Sequence, residues 1–589
     1  MRTTRRTFLG GAMLAPLGVR LWAADEKPLF RFGVMTDTHV GKTVESCGRV
    51  KLALQLFRSK GCELVINTGD IADWHYPTGY QAYRQVFDEV FAGAEQKPGE
   101  IYVYAWHDAF AYKGHAREMA SRDAPEAFED VRRLLKAPNS HTDTVVHKGY
   151  TFVVFPQFVG NKGFIGWDEY EKRIADACAA NPGKPVFVTD HIPAGGVWGV
   201  PDPRRTEILS KFPQVVYFCG HAHGSVRNDL HICQGKFTAI SSGCLQTWGS
   251  FTVGHPEPRR QSYGVLTVEV FADRLDVRRW DVRDGSEILP GKPWIVPLPF
   301  VAETAPWRRE VAKAECPVPE FEVGAKVKAE ATGSPFQGFS LSIPSAGPFA
   351  FKYVIAAERK GENGKWEQFT WREMLGDWWL PPKERQPVLE TLFEAPFLTV
   401  GDTVRFVVTP MNAYRVFGKG KLISNAVTVP EWTRGTVVLE SADPAAEFGI
   451  YPRRLAAAGK RRAKADKDGW YGPFGSSDWV IRLPEGLFAG KPGTEFRITF
   501  DMESDQPAGS TRWNIRLCNA KGPGFGSTRY STPPGKSGSM RYVMEHVNGR
   551  PDKRGESDSY HIYFERGVKS RMKPGRLVIE RLTSTEKRR

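Results

Sequence analysis

The sequence predicts an α/β layered domain followed by two all-β sandwich domains. Three observations carry this. From Leu29 to about Trp280 apolar strands alternate with helix-periodic segments, a proline-rich stretch then interrupts the pattern, and the remainder yields short strands with no convincing helix. At roughly 100 to 200 residues per domain, 589 residues are too many for one core. A hydrophobic share of 41% and a charged share of 25% exclude disorder, collagen and a polytopic membrane protein.

Residues 30–35 are a short apolar strand, and 46–59 follow with Val50, Leu54 and Phe57 on one helical face. Residues 63–67 are apolar again, 80–91 are helical and 101–105 form a strand. Residues 145–155 hold two strands around the Lys148-Gly149 turn. A helix over 167–180 stops at Asn181-Pro182-Gly183. Strands follow at 186–189, 215–219, 237–241 and 265–270, and 275–280 closes the region. Pro290, Pro293, Pro297, Pro299, Pro306, Pro317 and Pro319 then mark a boundary. Strands at 349–356 and 403–409 suit a sandwich over 301–430. Those at 479–483, 495–501, 513–518, 560–564 and 576–580 suit a second, jelly-roll-like one over 431–589. No internal repeat is evident.

A net charge of +14 suggests a polyanion partner until it is divided by region. Residues 1–24 hold four Arg and no acid, residues 25–430 balance at 48 basic and 48 acidic, and residues 431–589 hold 29 basic against 19 acidic. The neutral catalytic region argues against nucleic acid as substrate. The excess directs any contact with a glycan or an anionic surface to residues 431–589, where Arg453-Arg454, Lys460-Arg461-Arg462 and Lys587-Arg588-Arg589 lie. These runs also suit plain solvated faces.

In residues 1–24, Arg5-Arg6 followed by Phe8-Leu9 resembles a twin-arginine export signal, with Ala23-Ala24 as the cleavage site. The apolar run 8–19 is about half the roughly 20 residues of a spanning helix, so no transmembrane segment is expected. The expected location is the bacterial periplasm or the exterior. The eight Cys are too sparse for a disulfide scaffold and contain no Cys-x-x-Cys pair. Cys47 with Cys62, or Cys233 with Cys244, are the candidate pairs, although all eight read as structural.

Histidine and aspartate recur where predicted strands end. The groups are Asp37-Thr38-His39, Gly69-Asp70, His107-Asp108, His191, and Gly220-His221-Ala222-His223. In a layered α/β domain such positions converge on one sheet edge. Several imidazoles with two or three carboxylates at one place have the chemistry of a transition-metal site. A lone histidine at a strand end is usually an ordinary polar residue, but five such groups in order are not explained that way.

The ordered set Asp-x-His, Gly-Asp, x-His-Asp, Val-x-x-His and Gly-His-x-His, over about residues 29–285, resembles the calcineurin-like metallophosphoesterases. The resemblance implies a four-layer αββα sandwich over 25–300 and an exported metal-dependent phosphoric ester hydrolase. Its substrate would be a phosphomonoester, phosphodiester or pyrophosphate. It implies two divalent or trivalent transition metal ions, drawn from Mn, Fe, Zn and Ni. The first would be held by Asp37, His39, Asp70 and His223, and the second by Asp70, His191 and His221 with an Asn just before the catalytic His. Two such ions polarise phosphoryl oxygens and deprotonate a bridging water, and that hydroxide attacks phosphorus. His107 would protonate or stabilise the leaving group, with Asp108 orienting it.

Two departures stand out. The family's Gly-Asn-His-Asp reads Ala105-Trp106-His107-Asp108, and an indole has no metal-ligating atom, so the second site lacks a ligand. Water, Asn67 or Asp73 are the candidates to complete it. The residue three after Asp70 is Asp73, where purple acid phosphatases have Tyr, so no iron-tyrosinate chromophore is expected. Trp106, His75 with its neighbour Trp74, and Trp198 are the candidates to line the substrate pocket. A surface loop is the competing reading for His75, and for the 193–201 loop a plain connection competes with a mobile lid. Trp366, Trp371 and Tyr414 suggest a fibronectin type III-like core, and Trp470-Tyr471, Trp513 and Tyr530 offer either sugar-stacking faces or core. The rival function, motivated by Trp106 and the two sandwiches, is a surface- or glycan-binding protein with a degenerate phosphoesterase-like domain.

Overall fold

The computed structural model describes residues 26–41, 45–73, 77–110, 120–160, 164–246, 263–332, 338–377, 382–393, 398, 401–430, 435–452, 462–472, 479–489, 494–504, 515–519, 538–547, 560–564 and 571–582. The leader, and with it the export signal, lies outside these residues. Two compact units are present. One takes in the described residues up to Val226, His231–Gln246 and Tyr263–Arg309; the other takes in Arg227–Leu230 and the described residues from Glu310 onward.

The first unit runs β1 (Phe30–Met35), α1 (Ser46–Ser59), β2 (Leu64–Asn67), α2 (Pro77–Val90), β3 (Gly99–Tyr102), α3 (Trp106–Ala109) and α4 (Ala120–Leu135). It continues with β4 (Asp143–His147), β5 (Tyr150–Val154), α5 (Trp167–Ala180), β6 (Val186–Thr189), α6 (Pro203–Leu209), β7 (Val215–Cys219), β8 (Ile232–Gln234) and β9 (Thr238–Ser241). β10 (Gly264–Val270), β11 (Arg274–Asp281), β12 (Ser286–Glu287) and β13 (Trp294–Pro297) complete it. One sheet has the order β12-β11-β10-β1-β2-β3, with β13 against β11; the other has the order β4-β5-β6-β7-β9-β8. β1, β2 and β3 run parallel, as do β5, β6, β7 and β9.

Side-chain alternation along the strands builds three apolar layers. Phe32, Val34 and Ile66 of the first sheet meet Phe152, Phe187 and Phe218 of the second in one cluster. The opposite side of the first sheet, with Met35 and Val65, packs on α1, α2 and α4 through Phe57, Tyr83 and Phe128. Val153, Val188 and Tyr217 on the outer face of the second sheet pack on α5 and α6 through Tyr170, Ile174 and Ile208. The order is therefore helix, sheet, sheet, helix.

Several elements are absent from the sequence reading, and each has a local reason. α4 buries the small residues Ala124 and Ala127 beside Phe128, Val131 and Leu135, and it carries Pro125. Its hydrophobic period is faint for that reason. α6 is seven residues long, started by Asp202 accepting from the Arg204 and Arg205 amides with Pro203 just inside. β8, β12 and β13 have two to four residues each.

In the second unit, sheets of three and five strands surround a core in which Phe339, Leu341, Ile343, Tyr353, Ile355, Val404, Phe406 and Val408 alternate inward. Two further four-stranded sheets enclose Phe496, Ile498, Phe500, Ile562, Leu577 and Ile579. Both are β-sandwiches. Tyr414 is buried, but Trp366 lies under the Arg405 guanidinium at 4.4 Å and Trp371 is 57% exposed, so neither Trp fills the core. The Trp470 face carries Arg571 at 5.4 Å, and Tyr471 is buried with its backbone paired to Met572. Trp513 and Tyr530 lie outside the described residues, as do the basic runs except Arg462. All seven described cysteines are unpaired. Among the described residues no helix is long and apolar enough to cross a membrane.

Candidate metal centre

The five His/Asp groups follow the C-terminal ends of β1, β2, β3, β6 and β7, on the edge to which those parallel strands point. Backbone pairing continues past the strands and sets their register. Asp37 N–H donates to Gly69 O and His39 N–H to Asp70 O, both at 3.0 Å, while Gly220 N–H donates to His191 O at 3.0 Å. Two glycines admit this closeness. A Cβ on Gly69, whose φ is +109°, would lie 2.7 Å from His191 Nδ1. A Cβ on Gly220 would collide with Thr36 Oγ1 and lie 2.8 Å from Asp37 Oδ2.

Two donor clusters result, Asp37-His39-Asp70-His223 and Asp70-His191-His221, each with its ligand atoms within 4.8 Å of one another. Asp70 belongs to both. Its Oδ1 accepts the His107 N–H at 3.0 Å, while Oδ2 lies 3.2 Å from His191 Nε2 and 3.7 Å from His39 Nε2. Asp37 Oδ2 accepts the His221 N–H and the Thr36 hydroxyl, which turns Oδ1 inward to 3.0 Å from His223 Nε2.

The histidine tautomers follow from their outer partners. Nδ1 of His191 donates to Thr68 O at 2.8 Å, Nδ1 of His223 to Gln246 O at 2.5 Å, and Nδ1 of His39 to Asp73 Oδ1 at 3.2 Å. Each Nε2 then presents a lone pair to the centre. Asp37 Oδ1 and His191 Nε2 are buried without a hydrogen-bond partner among the described residues. Lone pairs facing lone pairs across 3 to 4 Å in a dry site call for a cation between them. The donor set therefore fits transition metals.

The electrostatics agree. Burial opposes charge on His39 and His191, but the surrounding carboxylates outweigh it. Asp37 and Asp73 push His39 up to about 9, and Asp70 pushes His191 up to about 10. Burial likewise works to raise Asp37 and Asp70, yet His223 and His191 respectively hold them well below the usual carboxylate range. At the rim, where its ring reaches solvent, His221 is still packed closely enough that burial and then His191 push it down to about 4.

Asp73, which sequence reasoning offered as a ligand for the second ion, lies in a third group with His39 and His107. Its Oδ1 is 2.7 Å from His107 Nδ1. The orienting position assigned to Asp108 thus falls to Asp73. Asp108 instead caps the local turns, accepting from the Ile71 and Ala105 amides at 3.1 and 3.0 Å and from the Tyr80 hydroxyl at 3.1 Å. Burial, reinforced by the Asp70 charge, pushes it up to about 6. The signal was available, since an Asp three residues after Asp70 lies one loop from His107. Trp106 is half-buried, with Phe158 and Phe110 at ring separations of 5.8 and 6.1 Å and its backbone N–H on Gln157 Oε1. Trp198 is half-buried and stacks at 6.3 Å on the buried ring of His231. Trp74 and His75 lie outside the described residues.

No family model and no curated protein matches the chain. Among solved structures, a dimetal phosphatase from Danio rerio is similar with 12% identity and a TM-score of 0.30, covering 44% of this chain and 99% of that one. A β-glucuronidase from Bacteroides uniformis is similar with 10% identity and a TM-score of 0.20. A glycosyl hydrolase family 2 member from Bacteroides cellulosilyticus has 11% identity and a TM-score of 0.21. The chain spans 61% and 59% of the length of these last two.

Proposed function

We propose that the protein is a metal-dependent phosphoric ester hydrolase with two transition-metal ions, acting on a phosphomonoester, phosphodiester or pyrophosphate. The observation that carries this is the pair of buried donor clusters sharing the Asp70 carboxylate. With it go the reading of the helix–sheet–sheet–helix unit as the αββα sandwich of metallophosphoesterases over 25–300, sandwich domains over 301–430 and 431–589, and export by a twin-arginine leader.

Asp37, His39, Asp70 and His223 would hold one ion, and Asp70, His191 and His221 the other. Such a pair supplies positive charge to the phosphoryl oxygens and acidifies water. The protein's own residues account for the rest. The wall of carbonyl-fixed histidines keeps the donors in place without reorganisation. With His107 Nδ1 against Asp73, the transferable proton sits on Nε2. As water oxygen bonds to phosphorus and the ester P–O bond breaks, that proton passes to the leaving oxygen. Burial works to raise Asp73, but His107 and His39 hold it well below the usual range, so it faces His107 as a full anion.

The test compares metal content and hydrolysis of p-nitrophenyl phosphate and bis-p-nitrophenyl phosphate in wild type and Asp70→Asn. Loss of bound metal and a fall in turnover of about a thousandfold are expected. Equal metal content and turnover would sink the assignment. His107→Asn should keep its metal and lose about 10²- to 10⁴-fold in kcat.

A further inference from the structure

The two halves of the centre are built unequally. The Asp37-His39-Asp70-His223 half has four donors, all buried. Two of its imidazoles are locked from behind, His39 by Asp73 and His223 by the Gln246 carbonyl. The Asp70-His191-His221 half has three donors, one of them shared. Only His191 is locked, by the Thr68 carbonyl. His221 is exposed, and among the described residues nothing is hydrogen-bonded to its ring, which meets His191 edge-on at 5.3 Å. An unlocked ring loses more rotational freedom on binding a cation and has no partner to raise its basicity.

The backbone beside this weaker half brings no fourth donor. The His107 amide is on Asp70 Oδ1, so residue 106 is adjacent to the shared carboxylate. That residue is a tryptophan, whose indole N–H donates but has no lone pair for a metal. Its ring packs with Phe158 and Phe110.

Resting on the dinuclear reading above, we infer that the centre is graded. The four-donor half retains its ion through dilution, whereas the three-donor half binds reversibly and fills only when the medium supplies the metal. Phosphoester hydrolysis is then controlled by free metal concentration, and the open coordination of the second ion is left to water and the phosphoryl oxygens of the substrate. Trp106 sets this difference by occupying the position next to Asp70 with a side chain that cannot ligate.

The experiment strips the full-length protein with a chelator and titrates it with Mn²⁺, following heat by calorimetry and bound metal after gel filtration. Two steps are expected, the second at least tenfold weaker and lost on gel filtration. His221→Ala, a change at the rim, should abolish the second step and leave the first within a factor of about three. Trp106→Asn should tighten the second step at least tenfold with the first unmoved. Two ions of equal affinity in wild type would overturn the inference while leaving the dinuclear reading intact. So would a His221→Ala protein that loses both steps equally, or a folded Trp106→Asn protein with an unchanged second step. A folded wild type that binds no Mn²⁺ would overturn the inference and the dinuclear reading together. Two graded ions with no turnover of any phosphoester would overturn only the proposed activity.

Discussion

Asp37, His39, Asp70, His221 and His223 all have positive φ, between 40° and 68°. Left-handed backbone costs a non-glycine residue about 1 to 2 kcal/mol. Five donors of one centre share it because the chain must turn sharply off each strand to aim its side chain inward. The cost is sustained by burial and by backbone pairing between the loops. His231, beneath Trp198, is a stability residue of a different kind. Its ring is buried, with Nδ1 3.1 Å from Ser241 O. Burial, helped by the Arg309 and Arg279 charges and against the Ser241 bond, pushes it down to about 3. An unfolded histidine titrates near 6.5, so below that pH the unfolded chain gains a proton that the folded one refuses. The stability is full above about pH 6.5 and is lost as pH falls toward 3, by about 2 kcal/mol at pH 5. His231→Phe should therefore lose less stability between pH 7 and pH 5 than wild type in denaturant unfolding. An identical loss in both would remove His231 from the account.

At the scale of elements, the site depends on α6, which contributes no donor to it. Arg205 on this helix donates from Nε to Asp190 Oδ2 at 2.7 Å and from Nη2 to Gln157 O at 2.6 Å. Asp190 Oδ1 accepts the backbone N–H of His191, and Gln157 Oε1 accepts that of Trp106. One buried guanidinium thus ties the loop of His191 to the loop that carries Trp106 and His107. Removing it leaves Asp190 buried and uncompensated, a cost of about 3 to 5 kcal/mol. Arg205→Met should show that loss in denaturant unfolding, and adding Asp190→Asn should recover part of it. Strictly additive losses would mean that the pair does not act as a unit.

For the molecule as a whole, every donor of the centre lies in the first compact unit, and so do the three apolar clusters around its sheets. A chain ended after Arg309 should therefore fold, bind metal and hydrolyse small phosphoesters within about threefold of the full protein. This follows because burial within one unit supplies its own stability. A truncated protein with native-like circular dichroism but no metal would show that the second unit completes the site.

The sequence by itself determined that apolar strands end in His/Asp groups in a particular order, because a strand's periodicity and the polar residue that stops it are local. It also determined the glycines at 69 and 220, and the absence of a ligating atom at Trp106, which is a matter of side-chain chemistry alone. Only the tertiary structure decided that the groups meet, that Asp70 is common to two clusters, and that Asp73 rather than Asp108 faces His107. Both carboxylates are near the histidine along the chain or across one loop, and composition treats them alike. What separates them is backbone direction. Asp108 is turned onto the amides of Ala105 and Ile71, while the turn after Asp70 carries Asp73 to the imidazoles of His39 and His107.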